Sequence, residues 1–547
     1  MLALYLAFLF ELEAPASAAL TVSILALPTR GQGLEKAGFR ITATILGVAV
    51  CFAMIGVFAQ TGALLLIVLS LWMGACVYAA GLLDGNRAYA AALGAVTVAF
   101  VAVQNLDTPQ SLFDAGFARG AAIVIGILSI AVVNDLLAAP DNYLIVEGKL
   151  RDLHRRVAAY GLNAASTTRD TAEEAARLLR DIASLRADIM SLFAESSAGR
   201  ARRSAARATL ANLVAYVAEA RVQKLNHSVG ENPALLVALR DDLAGAQLLQ
   251  ARDREVSECI EALRFGKQPP RELRTPFCAS RRIAFENGLA AAATFFLAAM
   301  VLMALGWPAA ELSLSFVGIL IGLSATAPDR RAFATLALIA APLGCLLAGI
   351  LKFFVLDGVS DFPLLALGFA PFVIALCLLA TVTHPVVSTL ARTELTFLIA
   401  ILQPSNPQGY DTLSFLFISF FVCLAAALIF VTQLLFPPMS PRSRLRVLLK
   451  DMRGDLRATV PARVHLLPEE LLFRQAVRVG QIADAAAATQ NGGATLNAAV
   501  AGFDHAATRY RVVGSLFAEA PLRKAPRAVE LETPADIAGN SVREGKP

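Results

Sequence analysis

The sequence predicts an all-α integral membrane protein: two six-helix membrane halves, a cytoplasmic helical bundle between them, and a helical cytoplasmic segment at the C-terminus. Of its 547 residues, 57% are hydrophobic and the mean hydropathy is +0.61, which is too apolar for a soluble globular chain. The charged residues, 17% of the total, are concentrated in two blocks. The long apolar tracts outside these blocks predict the membrane helices.

The first membrane half is predicted at residues 1–140, and its first two segments are unusually short. The six segments fall near 1–12, 16–28, 40–60, 62–83, 88–104 and 116–138. A helix needs about 20 residues to cross a bilayer core of about 30 Å, and the stretch between Pro15 and Pro28 is well short of that. Such a segment is typical of a discontinuous transporter helix, and equally of a tilted helix with frayed ends. The brief first segment leads us to expect that the true start of the chain lies upstream of Met1.

A cytoplasmic helical domain is predicted at residues 141–282. Apolar residues recur there at spacings of three and four, with acids and arginines between them. The Arg200–Arg207 cluster is expected to be a solvated helix face more than a site for a partner or for lipid headgroups. No P-loop or Rossmann glycine pattern occurs, so the sequence does not indicate energy from bound ATP.

The second membrane half is predicted at residues 283–438 and has the same orientation as the first. Its segments fall near 284–306, 309–327, 332–355, 362–382, 389–403 and 412–437. Two halves of equal orientation imply a parallel pseudo-repeat about an axis along the membrane normal. Pro28-Thr29-Arg30 is echoed by Pro328-Asp329-Arg330. Residues 439–524 are expected to be helical and cytoplasmic, and residues 525–547 to be disordered.

The distribution of basic residues predicts the orientation in the membrane. Arg30, Lys36 and Arg40 follow the second segment, Arg87 follows the fourth, and the intervening outer loops carry no basic residue. By the positive-inside rule, both termini are cytoplasmic in a multi-pass protein of a bacterial inner membrane. Nucleic acid is excluded as a partner, because the arginines alternate with acids on helical patterns despite a net charge of +5.

Several motifs resemble those of one family. The spacing of Glu11-Leu12, Pro15, Leu20-Thr21-Val22, Pro28-Thr29-Arg30-Gly31, Lys36-Ala37 and Arg40 is similar to that of the fusaric-acid-resistance (FUSC) or aromatic-acid-exporter family of inner-membrane proteins. In the second half, residues 353–371, residues 406–411 and the exit sequence LLFPPMSPRSRLRVLLKDMRGDLR look similar to the same family. The family's usual tryptophan after the proline is replaced here by Ala16-Ser17-Ala18.

The resemblance implies an efflux transporter for small organic anions, with aromatic carboxylates as the expected class, driven by the proton gradient. It also implies cooperation with a periplasmic adaptor in some members. Two alternatives remain open, a passive anion channel and a non-transporting membrane scaffold. An enzyme, a cofactor and a metal site are not expected, since the histidines and cysteines form no ligand pattern. A homo-oligomer is possible.

Basic residues near the apolar segments are the candidates for binding an anion. They are Arg119, Lys352, Arg40 and Arg30. A guanidinium at Arg119 can pair bidentately with a carboxylate, whereas the alternative is snorkelling to the interface. Members of the family carry a glutamate three residues after this arginine, and this chain has Ala122. Lys352 stands beside two phenylalanines, which suits an aromatic acid.

Acidic residues at the segment ends are the candidates for proton coupling. They are Glu11, Glu13 and Asp135. Ionisable groups at membrane depth are costly and are therefore functional candidates. The alternative for each is a carboxylate that simply touches water at a helix end.

Overall fold

All regular secondary structure in the described residues of the computed structural model is helical. The structure describes residues 1–25, 30–106, 108–136, 141–164, 172–229, 235–306, 310–327, 329–359, 361–405, 408–458, 467–489 and 492–518, with the side chains of 30–32, 109, 163–164, 194, 225–229, 235–244 and 511–518 left aside. The tail predicted to be disordered, the prolines Pro28 and Pro328, and Pro140 at the first domain boundary lie outside these residues.

Six helices form in the first predicted membrane half. They are α1 (Leu2–Leu9), α2 (Pro15–Leu25), α3 (Arg30–Phe58), α4 (Ala63–Leu82), α5 (Gly85–Val101) and α6 (Leu112–Leu136). The last four are long and apolar enough to cross a membrane. The first two have only 8 and 11 residues, as the sequence predicted for this region.

Six more helices form in the second predicted membrane half. They are α12 (Arg281–Leu305), α13 (Ala310–Ser324), α14 (Arg330–Ile350), α15 (Phe362–Ala380), α16 (Pro385–Leu402) and α17 (Thr412–Leu435). A π-helical turn, Leu351–Val355, extends α14. Counting both halves, nine helices of the described chain are candidate membrane spans, and α13 is again a short apolar helix in the position that corresponds to α2.

Local sequence sets several helix ends. The Asp329 side chain accepts hydrogen bonds from the amides of Arg331 and Ala332 at the start of α14, and Asp411 caps α17 in the same way. Pro385 occupies the first turn of α16, where a missing amide costs nothing. Gly306 ends α12 with a φ of 60°, a left-handed conformation that favours glycine.

The two sets of helices repeat one packing pattern. Four helices of the first set, α3 to α6, begin 299 or 300 residues before their counterparts α14 to α17. α3 packs on α5 and α14 on α16, while α2 packs on α6 and α13 on α17. Between the sets, α5 packs on α13 and α2 on α16. These corresponding pairs describe an internal pseudo-repeat, as the sequence predicted.

The helices of the two charged segments form one unit around a common core. They are α7 (Asn142–Ala164), α8 (Ala172–Ser184), α9 (Arg186–Met190), α10 (Gly199–Val229), α11 (Leu235–Phe265), α18 (Pro441–Ala458), α19 (Pro468–Ala487) and α20 (Gly492–Ala518). Residues 141–282 and 439–524 were predicted as separate segments, whereas in the structure their apolar faces pack together. A buried ion pair joins them, with Arg221 Nη2 of α10 2.7 Å from Asp504 Oδ2 of α20.

This helical unit is attached to the membrane helices at the start of α5. Arg186 of α9 pairs with Asp84, the residue that precedes α5, and its Nε donates to the Thr275 carbonyl over 2.7 Å. Asn86 in the first turn of α5 donates to the Glu35 carboxylate of α3 over 2.9 Å. The end of the bundle that carries the helical unit is therefore held by specific polar contacts, and we call it the domain end.

Candidate functional site

A cavity of about 370 Å³ lies between the two sets of membrane helices. Helices α2, α3, α5 and α6 line it from the first set, and α13, α14 and α16 line it from the second. Its volume falls within the range of about 300–1,000 Å³ that is typical of small-molecule sites. The pseudo-repeat therefore places a ligand-sized space where its two units meet.

Three arginines line this central cavity, although two of them are almost completely buried. Arg40 is 3% exposed and Arg119 is 7% exposed. The Nη1 atom of Arg40 donates to the Tyr89 hydroxyl over 2.9 Å, but neither Nε atom has a hydrogen-bond partner among the described residues. Arg392 of α16 is exposed and supplies the third guanidinium.

Aromatic rings complete the lining of the cavity. They belong to Tyr89, Phe100, Phe316, Phe333 and Phe397. The Arg119 guanidinium carbon lies 4.1 Å from the centroid of the Phe100 ring, which is a cation–π contact. None of the described residues that line the cavity is acidic. Positive charge next to rings, without a counter-charge, favours an anion with an aromatic body.

The positive charge extends from the cavity towards the domain end. Lys36, one turn before Arg40 on α3, donates from Nζ to the Ile24 carbonyl over 2.9 Å and lies 4.8 Å from the Tyr89 ring centroid. Arg40 and Arg392 both repel Lys36, and Arg40 also repels Arg119. Like charges gathered around one cavity are unfavourable unless an anion joins them.

A second cavity of about 360 Å³ adjoins the first on the side away from the domain end. It is lined by the starts of α2 and α6 and by the ends of α5 and α16. Both cavities share Ser17, Leu20, Phe100, Arg119 and Ala400. Arg119 therefore stands in the wall between them, in contact with both spaces.

The structure brings together two of the four basic residues that the sequence singled out. Arg40 and Arg119 lie in one cavity, although 79 positions separate them in the chain. Lys352 lies outside it, with Nζ 5.7 Å from the centroid of Phe415 and 5.9 Å from that of Phe353. Arg30 begins α3, and its side chain is not among the described ones.

The three predicted proton-coupling residues lie at helix ends. Glu11 and Glu13 are exposed in the turn between α1 and α2, and Glu13 lines the second cavity. Asp135 is exposed in the last turn of α6. None of them lines the central cavity, so the structure gives each an environment of partial contact with solvent or headgroups.

Sequence reasoning did not single out Arg392, the rings around Arg119, or Glu394. A polar stripe at Thr389, Arg392, Thr393 and Thr396 follows helical spacing within the apolar α16 and could have revealed that face. The acid Glu394 stands in the middle of an apolar segment, which is a recognisable signal for function. Among the described residues, no group of histidine, cysteine and acidic side chains is placed to hold a metal ion.

Comparison with known proteins bears on the identity of this site. The chain is 30% identical over 149 residues to "p-hydroxybenzoic acid efflux pump subunit AaeB" of Edwardsiella tarda, which covers 26% of this chain and 23% of that protein. It is 27% identical over 158 residues to "Uncharacterized transporter YdhK" of Escherichia coli K12, which covers 28% and 24%. The matched parts span about a quarter of these curated relatives, and no solved structure matches.

The family itself is decided by a match over nearly the whole chain. The sequence profile of the fusaric acid resistance protein family matches residues 1–275 and 243–529. The two matches together include both sets of membrane helices and the helical unit, and they agree with the internal repeat seen in the packing. The resemblance found in the sequence is confirmed: the chain is a multi-span membrane protein that belongs to the fusaric acid resistance protein (FUSC) family.

Proposed function

We propose that this protein exports small organic anions that carry an aromatic ring and a carboxylate. The observation that carries the proposal is Arg119, a guanidinium buried against the Phe100 ring at the junction of two cavities, whose Nε atom has no hydrogen-bond partner among the described residues. An unpaired charge at membrane depth is costly, and it persists in proteins where a ligand supplies the counter-charge.

The chemistry of the cavity favours a carboxylate over a phosphate or a simple halide. A guanidinium presents two parallel N–H donors that match a carboxylate, and its face can remain stacked on Phe100 meanwhile. The rings of Tyr89, Phe316 and Phe333 offer apolar surface for the body of an aromatic acid. A ligand seated there would also relieve the repulsion between Arg40 and Arg119.

We further propose an alternating-access arrangement of two parallel six-helix halves, residues 1–140 and 283–438. The 141–282 and 439–524 segments, joined around one core, would then lie in the cytoplasm together with both termini. The central cavity would face the cytoplasm, and the second cavity would face the periplasm. Rocking of the halves would move the anion past Arg119.

The proposal extends to a partner subunit and to an energy source. Because one group of relatives bears the printed name of an efflux pump subunit, we propose that a second subunit, a periplasmic adaptor, assembles with this chain. We propose the proton gradient as the driving force. Assembly of several copies is compatible with this arrangement.

The test is efflux of radiolabelled 4-hydroxybenzoate from proteoliposomes that contain the purified full chain. We expect the label to leave faster than from empty liposomes and faster still under an inward proton gradient. Arg119→Gln should lose the effect, whereas Arg282→Gln, an exposed arginine paired with Glu286 outside both cavities, should keep it. Efflux indifferent to the proton gradient would support the channel, and retention of the label as in empty liposomes would refute transport of this anion.

A further inference from the structure

Glu394 is the most deeply buried carboxylate of the membrane helices and has no role in the cavity. It is 1% exposed, and neither carboxylate oxygen has a hydrogen-bond partner among the described residues. It stands nine residues after the start of α16, about 14 Å along the helix axis, which is near the middle of an 18-residue helix. Membrane depth and the lack of a partner together disfavour a permanent negative charge there.

Among the described residues, no cation lies near enough to Glu394 to neutralise it. From α14, the thiol of Cys345 lies within electrostatic range of Glu394, and that thiol contacts Cys423 of α17 at 3.9 Å between the sulfur atoms. Helix α2 has no titratable side chain, and α15 has only Cys377, which is exposed. On its own helix, Arg392 is exposed and lines the cavity.

The space for this carboxyl is created by a glycine in a deformable helix. A Cβ atom at Gly344 of α14 would come within 3.1 Å of Glu394 Oε2 and 3.0 Å of the Phe397 Cβ atom. Pro342, two residues earlier in α14, removes one helical hydrogen bond, and the π-helical turn Leu351–Val355 follows in the same helix. The seam between α14 and α16 is therefore closely packed at Glu394, whereas α14 lacks regular helical hydrogen bonding on both sides of this contact.

We propose that Glu394 is the proton-binding residue that couples the proton gradient to anion export; this rests on the export function proposed above. When protonated, the neutral carboxyl fits the dry seam between α14 and α16. When it releases its proton, the carboxylate needs water, so the seam must open. Because α16 also carries Thr393, Thr396 and Phe397 into the cavity, opening of the seam moves the wall of the anion site. In one cycle, the carboxylate takes a proton from the periplasmic side and releases it to the cytoplasm.

The experiment separates proton coupling from anion binding. Proteoliposomes carry the full chain as wild type, as Glu394→Gln or as Glu286→Gln, a control that removes a partly exposed carboxylate of α12 paired with Arg282. Two rates are measured with radiolabelled 4-hydroxybenzoate at neutral to alkaline pH: exchange against unlabelled anion without a gradient, and net efflux with an inward proton gradient. We expect Glu394→Gln to keep exchange and to lose all acceleration by the gradient. Glu286→Gln should keep both.

Acceleration of Glu394→Gln efflux by the gradient would overturn the proposal, and so would an equal loss in Glu286→Gln. If the wild type shows neither exchange nor efflux, the proposed function fails for this probe, and infrared difference spectra of the empty protein decide the proton site. A protonated-carboxyl band that appears in the wild type as the pH falls and is missing from Glu394→Gln supports the assignment. The same band in both proteins refutes it.

Discussion

Replacing Arg119 by glutamine should weaken binding of an aromatic carboxylate while making the empty protein more stable. A bidentate, charge-assisted contact contributes about 1.5–3 kcal/mol. Since 1.4 kcal/mol is a factor of ten, the dissociation constant for 4-hydroxybenzoate should rise about 10- to 150-fold. The empty protein should become more stable because the substitution removes a buried charge that has no counter-charge in the empty cavity.

The assay pairs two measurements on the detergent-solubilised full chain. Calorimetric titration measures the affinity for 4-hydroxybenzoate and for its uncharged amide, and thermal unfolding without ligand measures stability. The uncharged amide should bind the wild type weakly. Its affinity for Arg119→Gln should be no lower than its affinity for the wild type. Arg119→Lys keeps the charge but loses the two parallel N–H donors of the guanidinium and much of the stacking on Phe100. Its affinity for 4-hydroxybenzoate should therefore lie between those of the wild type and Arg119→Gln.

Arg282→Gln is the matched control, because that arginine is exposed at the start of α12. It should change neither the affinity nor the melting temperature. The reasoning is refuted if Arg119→Gln binds the carboxylate as tightly as wild type, or if the carboxylate and the amide lose affinity equally. A fall in the melting temperature of the empty variant would show that Arg119 serves the fold.

Four further substitutions test the cavity and the packing of the bundle and of the helical unit. Phe100→Leu should weaken 4-hydroxybenzoate binding by about 0.5–2 kcal/mol, measured by titration, because it removes the ring stacked on the arginine. Gly288→Ala should destabilise the bundle by about 1–3 kcal/mol in thermal unfolding, since its Cβ would lie 2.7 Å from a backbone oxygen of α4. Gly56→Ala, open on all sides, should leave the melting temperature unchanged or higher. Asp504→Asn should cost about 3–5 kcal/mol because it removes the carboxylate charge that pairs with the buried Arg221, and an unchanged unfolding midpoint would contradict this.

The sequence alone predicted the membrane helices and their order well. Hydropathy and length are local properties, so the twelve predicted segments each contain a helix, and the brief first and second segments are short helices. The prolines at the start of α2 and α16 and the aspartate caps of α14 and α17 are likewise local signals. Family motifs depend on spacing along the chain, and the family is confirmed.

Local patterns were less informative about which polar residues act together. Arg40 was predicted both as a positive-inside residue and as an anion-binding candidate, and the structure places it 3% exposed beside Tyr89 in the cavity. Lys352 was a separate anion-binding candidate, and it lies outside the cavity that contains Arg119. Hydropathy places a residue along the membrane normal, but the direction that its side chain faces depends on the packing of the neighbouring helices.

The sequence by itself determined an array of apolar helices, its internal repeat, and an excess of positive charge next to it. Only the tertiary structure decided that Arg119 and Arg392 share one cavity and that Glu394 is sealed between α14 and α16. The physical reason is that the contacts join helices that are distant in the chain: Arg119 and Arg392 are 273 positions apart, and α14 begins 55 residues before α16. These contacts follow from how the helices pack within and between the two repeat units, which no local pattern of residues encodes.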